Sequence, residues 1–286
     1  MKKLSIVILN YNTKDLLVDC LDSVEKVRGE VDFEVVVADN ASSDGSVEAV
    51  KKDFPKVKII ENAQNLGFAA GNNKAKDFVE GKYVLILNPD TLVNKETLKE
   101  AVSYLELHID VAALGCKIVL PNGRLDCDSR RSFPTPWVAF THFSGMDKLF
   151  PKSKLFSQYW YGYFAQDQIH EVDVLQGAFC MVRREILDQI GWYDEDYFLD
   201  GEDIDLCWKI KEKGWKIVYF PRVSIIHVKK GTKSKFKSIR NVMAGVESME
   251  IFYKKRLWAK YPLIINLLVL VGINIIRAIR FVKLLF

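Results

Sequence analysis

The first 107 residues alternate between short β-rich runs and helical patterns of about three turns, and three of the four β-runs lead straight into asparagine or aspartate. Residues 4–9 (LSIVIL), 33–38 (FEVVVA), 57–60 and 83–87 (YVLIL) read as strands. Helices are expected from Thr13 to about Lys26, from Ser43 or Asp44 to about Lys52, from Phe68 to Val79, and from an Asn94 cap to about Leu107. Strands separated by helices imply an α/β fold, a mostly parallel, Rossmann-like sheet flanked by helices. In such sheets ligands gather at the carboxyl ends of the strands. Those positions hold Asn10-Tyr11-Asn12, Asp39-Asn40 and Asn88-Pro89-Asp90. Any single tip reads equally well as turn chemistry; three together point to a site.

Beyond residue 120 the pattern changes. Pro121, Pro134, Pro136, Pro151 and the aromatic run at 159–164 mark a long, mostly irregular insertion over 121–172. Regular pattern resumes at 172–182, then in a helix from near Glu202 and two short strands at 216–220 and 223–227. The content, 49% hydrophobic and 27% charged, is that of a folded globular protein. The five cysteines are far apart and lack C-x-x-C spacing, so reduced thiols are expected rather than a disulfide framework or zinc site. The apolar run at 4–9 is ended by Asn10-Tyr11-Asn12, too soon for a secretory signal.

Several chemistries are excluded by their missing loops. No G-x-G-x-x-G follows the first strand and no Walker lysine loop is present, which argues against dinucleotide-binding dehydrogenases and P-loop enzymes. Asp39 is placed to accept hydrogen bonds from a base or ribose. Asn65, Gly67, Gly71 and Asn72 sit where a loop opens a helix, and glycines there allow close backbone approach by an anionic group. Asp90 is the best candidate for a divalent cation, although Asn88-Pro89-Asp90-Thr91 reads equally as a turn and helix cap. Asp200, Glu202, Asp203 and Asp205 crowd one helix start, more carboxylates than dipole stabilisation alone asks for. Asp203 is the favoured general base, with Glu202 and Asp205 as neighbours. His227, followed by Lys229-Lys230-Gly231-Thr232, is by pattern alone more often structural than a ligand.

Together these segments resemble glycosyltransferase family 2 of the GT-A fold, and within it the inverting, rhamnosyltransferase-like members, from Ser5 to about His227. The opening through Asn10, Tyr11 and Asn12 is similar to the family's donor loop, and Asp39-Asn40-Ala41-Ser42-Ser43-Asp44-Gly45-Ser46 to its D-N-x-S-x-D-G-S segment. Residues 65–72 match N-x-G-x-x-x-G-N. Asn88 and Asp90 stand at the D-x-D position, Asn88 replacing the first aspartate. Glu202-Asp203-Ile204-Asp205-Leu206 matches E-D-x-D-L. The resemblance implies donor contacts from Asn10, Tyr11, Asn12, Asp39, Asn65, Gly67, Asn72, Asn88 and Asp90. It implies acceptor-side roles for Gly177, Trp192 and Glu202, with Arg183-Arg184 in the same strand and turn. Asp203 is implied as the base, and Asp90 with His227 as ligands of Mg²⁺ or Mn²⁺. The implied reaction moves a sugar, with dTDP-rhamnose the leading donor, onto a saccharide or polyprenyl-linked acceptor in cell-surface polysaccharide synthesis. Galactose and N-acetylglucosamine are alternatives. A sugar nucleotidyltransferase is disfavoured, because its nucleotide loop should be rich in Gly, Arg and Lys where this chain reads Asn-Tyr-Asn.

Charge divides the chain unevenly: residues 209–286 carry a net +15 and residues 1–208 a net −11. The expected organisation is a catalytic domain over 1–240, with a nucleotide-sugar half at 1–120 and an acceptor half at 121–240, then a helical tail at 241–286. The tail's apolar run, residues 261–276, covers only about 24 Å as a helix, short of a bilayer core. With Lys254-Lys255-Arg256 before it and Arg277, Arg280 and Lys283 after it, the expected partner is an anionic membrane surface at the cytoplasmic face. Core packing or dimerisation is the alternative. Nucleic acid is not expected, since the basic residues accompany aliphatic rather than base-stacking aromatic ones.

Overall fold

The computed structural model describes residues 2–229 and 239–285. The expected stretch Lys230-Gly231-Thr232 therefore lies outside the described residues. Among the described residues nine strands form one sheet: β1 (Leu4–Asn10), β2 (Phe33–Asp39), β3 (Lys58–Glu61), β4 (Tyr83–Leu87), β5 (Thr91–Val93), β6 (Val111–Val119), β7 (His170–Glu171), β8 (Phe179–Arg183) and β9 (Lys216–His227). The order is β3-β2-β1-β4-β8-β6-β9-β5, with β7 beside β9. β1, β2, β3 and β4 are parallel neighbours. β8 is antiparallel to both β4 and β6, and β6 is parallel to β9. Two reversals cancel, so β6 and β9 run the same way as β1. The carboxyl ends of six strands thus share one edge, and only β5, β7 and β8 run against them.

The alternation of side chains sorts the core. Leu4, Ile6 and Ile8 point to one face, under α1 (Lys14–Lys26) and α4 (Thr97–Leu107), while Val7, Val36, Val84 and Ile86 point to the other. That second face is covered by α3 (Phe68–Asn73), α7 (Arg184–Ile190) and α8 (Glu202–Glu212). The remaining early helix is α2 (Ser46–Asp53), and the insertion carries two short α-helices, α5 (Pro136–Phe143) and α6 (Met146–Leu149), with a 3₁₀ turn at Cys127–Ser129.

Several boundaries differ from expectation, each for a local reason. The third helix ends at Asn73 and gives way to a 3₁₀ turn at Lys76–Phe78, because Lys74 and Ala75 donate to carbonyls three residues back. Asn94 caps nothing: its amide donates to the Ser224 carbonyl at 2.9 Å, and Glu96, at φ 61°, precedes the helix instead. The two short strands at 216–220 and 223–227 are one strand. Its pairing with β6 skips from Phe220 to Ser224 at Pro221, which has no N–H to offer the ladder. All five cysteines are unpaired.

The C-terminal region is a helical hairpin: α9 (Ile239–Phe252), a π-helical turn over Tyr253–Leu257, a 3₁₀ turn over Trp258–Lys260, and α10 (Leu263–Leu285). Tyr253, Leu257 and Phe252 pack with Trp208 of α8 and Tyr197 in a third apolar cluster. The apolar helix is longer than its apolar run. Its 23 residues rise about 34 Å, enough to cross a bilayer core. Mean hydropathy over Leu263–Leu284 is 2.0, and only 11% of the window is buried. The helix continues through Arg277 and Arg280 because both turn inward, Arg277 to Glu250 and Arg280 to the Val242 carbonyl. The exposed face beside them is apolar, with Leu268 61%, Val271 57% and Ile275 56% exposed.

Candidate active site

The chain runs outward from β1 to β2 and β3 and then returns to β4 on the other side of β1. Between β1 and β4 the direction of progression reverses, and such a switch point opens a crevice at the carboxyl edge. Residue register then decides what lines it. Asn10 and Asp39 are partners in the ladder, and Asn10 Nδ2 donates to Asp39 Oδ1 at 2.8 Å. Ser42 donates to the same oxygen through its hydroxyl and to Oδ2 through its N–H. Asp39 is thereby fixed with acceptor capacity left over. Asn12, at φ 53°, accepts from the Ser43 N–H at 2.8 Å, tying the first loop to the second. A third loop joins through Asn40, whose amide donates to Asn65 Oδ1 and to the Gly67 carbonyl.

The same edge gathers an acid–imidazole set. Asp90 follows β4 and His227 ends β9, and their Oδ1 and Nε2 atoms lie 3.2 Å apart. Asp126, which follows β6, approaches His227 Nδ1 at 3.2 Å and receives a 2.9 Å bond from Lys229. Burial alone would push His227 down, but the Asp126 and Asp90 carboxylates outweigh it and hold the imidazolium up to about 9. Burial likewise opposes the charge of Asp126, yet His227 and Lys229 hold its carboxyl down at about 2. A carboxylate behind one ring nitrogen, with the other nitrogen turned toward a second carboxylate, is the arrangement of a histidine metal ligand with its supporting acid. Among the described residues no group of three or more His, Cys, Asp or Glu side chains is disposed to enclose an ion. A cation here would take two protein ligands, the rest of its sphere coming from water and phosphate oxygens.

Asp203 lies in the first turn of α8 and forms an ion pair with Arg131 from the insertion. Burial works against the charge on Arg131, but Asp203, Tyr159 and Asp128 overcome it and hold the guanidinium above its ordinary value. Asp203 Oδ1 also accepts from the Ile204 N–H, so the carboxylate is oriented by two donors. Asn88, Tyr11 and Asn65 are half-buried at the crevice.

Several other expected residues are engaged within the protein itself. Asn10 is fully buried and spends its amide on Asp39 and Ser42, so it orients that carboxylate rather than presenting itself. Gly67, at φ 84°, is small because the 198 loop lies on it. A Cβ there would collide with the Phe198 carbonyl oxygen and come within 2.6 Å of its ring. Asn72 is enclosed, donating to the Phe68 carbonyl. Gly177 is packed under Phe68, which a Cβ would meet at 3.1 Å. Trp192 is a core residue, 1% exposed, with its indole N–H on Asp188. Arg183 lies at the opposite edge, because β8 runs backwards; its guanidinium bonds the Leu105, His108 and Val111 carbonyls. Asp126 and Arg131 were missed, since they fall in the aperiodic insertion. The charge-dense segment Arg124-Leu125-Asp126-Cys127-Asp128-Ser129-Arg130-Arg131 was the only signal.

An open sheet with polar strand ends at its switch point, and an acid–histidine pair beside them, defines a nucleotide-sugar transferase fold of the GT-A type. The chain belongs to glycosyl transferase family 2, whose profile matches residues 5–191. It is 27% identical over 210 residues to the N-acetylglucosaminyl-diphospho-decaprenol L-rhamnosyltransferase of Mycobacterium tuberculosis, covering 68% of this chain. It spans just under two thirds, 66%, of that relative's length. Rhamnosyltransferase WbbL of Escherichia coli is 25% identical over 231 residues, 78% of this chain and 82% of the relative. Among solved structures, the mannosyltransferase PcManGT of Pyrobaculum calidifontis, in complex with GDP-Man and Mn²⁺, superposes with a TM-score of 0.61. Its sequence identity is 21%, over 89% of this chain and 65% of that one.

Proposed function

We propose that this chain transfers rhamnose from dTDP-rhamnose, with inversion, to a saccharide or polyprenyl-diphosphate-linked acceptor at the cytoplasmic face of a membrane. The observation that carries this reading is the convergence at one sheet edge of the Asp39 cradle and the Asp90–His227 pair. Residues 1–120 hold the donor, residues 121–240 the acceptor side, and residues 241–286 the membrane contact. Asp39 receives the ribose or base, and Asn88 and Tyr11 line the crevice. Asp90 and His227 would hold Mg²⁺ or Mn²⁺, which supplies the positive charge that lets a diphosphate leave without a proton donor. Asp203 takes the proton from the acceptor hydroxyl, and the Arg131 ion pair keeps that carboxylate aimed. Attack from the side opposite the leaving diphosphate inverts the anomeric carbon. Acceptors carried on a polyprenyl chain stay in the bilayer, and the exposed apolar face of α10 would keep the enzyme beside them.

The test is binding and slow hydrolysis of a nucleotide-sugar panel, dTDP-rhamnose, UDP-galactose, UDP-N-acetylglucosamine and GDP-mannose, with Mg²⁺, with Mn²⁺ and with EDTA. The expected result is cation-dependent turnover of dTDP-rhamnose above the others. Turnover of a different sugar would reassign the donor, and no binding of any member with cation present would remove the transferase reading.

A further inference from the structure

The loop that leads into the base-bearing helix is strapped down by the C-terminal hairpin. Four successive contacts make the strap. Arg240 of α9 stacks over the Phe198 ring at 3.5 Å. Ser248 donates to the Leu199 carbonyl at 3.3 Å. Gly201, at φ 80°, leaves no room for a side chain, since a Cβ would lie 2.8 Å from Ser248. Arg256, in the π-helical turn, grips Asp205 with two prongs, Nε to Oδ1 at 2.7 Å and Nη2 to Oδ2 at 3.1 Å. Asp205 is completely buried and also receives the Tyr197 hydroxyl.

The geometry has a direction. Asp203 and Asp205 share the first turn of α8, two residues apart, so they point to different sides of the helix. Asp203 faces Arg131 in the insertion and Asp205 faces the hairpin. Fixing Asp205 fixes the rotation and height of the turn that carries Asp203. Phe198, held from above by Arg240, accepts from the Phe68 N–H at 2.7 Å and so seats the same loop on the donor side. A bare membrane anchor has no need of a two-pronged ion pair to a fully buried carboxylate of the catalytic helix, where removing the arginine leaves an uncompensated buried charge.

We propose that Arg256 and Asp205 are positioning residues for Asp203, and that the C-terminal hairpin is part of the acceptor-side active site. This rests on the reading of Asp203 as the base. The membrane-facing helix begins seven residues after Arg256, so the element that touches lipid is joined by one short turn to the element that aims the base.

The test uses the full chain with dTDP-rhamnose and N-acetylglucosaminyl-diphospho-decaprenol in mixed micelles, reading kcat, KM for the nucleotide sugar and the thermal midpoint. Arg256→Gln strands a buried carboxylate and is expected to lower both kcat and stability. The informative protein is the double variant Asp205→Asn with Arg256→Met, which has no buried charge left unpaired. Its midpoint is expected to recover toward wild type while kcat stays at least tenfold down and KM for dTDP-rhamnose remains within twofold. Arg256→Lys keeps the charge without the fork and should fall between. A double variant within twofold of wild-type kcat, or one whose loss lies in KM for dTDP-rhamnose, overturns the proposal. A wild type that turns over no sugar nucleotide overturns the reading of Asp203 itself, and this inference with it.

Discussion

Asp203 shows how a side chain's neighbours set its role. Its ion pair with Arg131 holds one oxygen and the Ile204 N–H the other, so two donors set the direction in which the carboxylate points. Asp203→Asn should retain the fold and lose roughly 10²- to 10⁴-fold in kcat, the usual worth of a general base; the check is steady-state turnover beside an unchanged circular dichroism spectrum. His227 makes a different prediction. Held at about 9 in the folded chain against an ordinary 6.5, it contributes stability that is fully present below 6.5 and is lost as pH rises through 9. The EDTA-treated protein should therefore lose thermal midpoint across that interval. Cation binding, which must displace the Nε2 proton, should strengthen across the same interval. A midpoint that rose with pH under EDTA would contradict the ion-pair assignment. Asp126→Asn removes the acid behind His227 and should weaken cation binding about 10- to 100-fold, measured by calorimetry with Mn²⁺.

At the scale of elements, glycine positions report loop-on-loop packing rather than ligand contact. Gly67→Ala would add a methyl against Phe198 at a backbone angle that favours glycine. A cost of about 1–3 kcal/mol is expected, seen as a lower urea midpoint. Donor binding should weaken with it, because the 198 loop and the Asn65 loop part together. The motif N-x-G-x-x-x-G-N was legible in the sequence, but the reason for its glycines was not. Residues 67 and 198 are 131 positions apart, and no local pattern records that they touch. The helix ends were misread for a related reason. Asn94 has the composition of a cap and is claimed instead by Ser224 of β9, a tertiary bond that outweighs local preference.

For the whole molecule, the hairpin both contacts α8 and offers an apolar face to its surroundings. Replacing Leu268, Val271 and Ile275 together by serine alters only exposed positions and should leave the thermal midpoint within a few degrees. Each loses about 1.5 kcal/mol or more of transfer energy into lipid. Vesicle cosedimentation should therefore fall at least about a hundredfold; an unchanged bound fraction would remove α10 as the lipid contact.

The sequence by itself determined the α/β class, the polar strand tips and the acidic helix start, because these depend on periodicities of two and 3.6 and on residues adjacent along the chain. It also brought out Asp39, Asp90 and Asp203 as residues to watch. Only the tertiary structure decided which of them meet: β8 runs backwards between two strands that run forwards, returning β6 and β9 to the direction of β1. That reversal delivers Asp126 and His227 to Asp90 and carries Arg183 to the far edge. Strand direction after an aperiodic insertion leaves no local trace, since it is set by pairing between residues far apart in the chain.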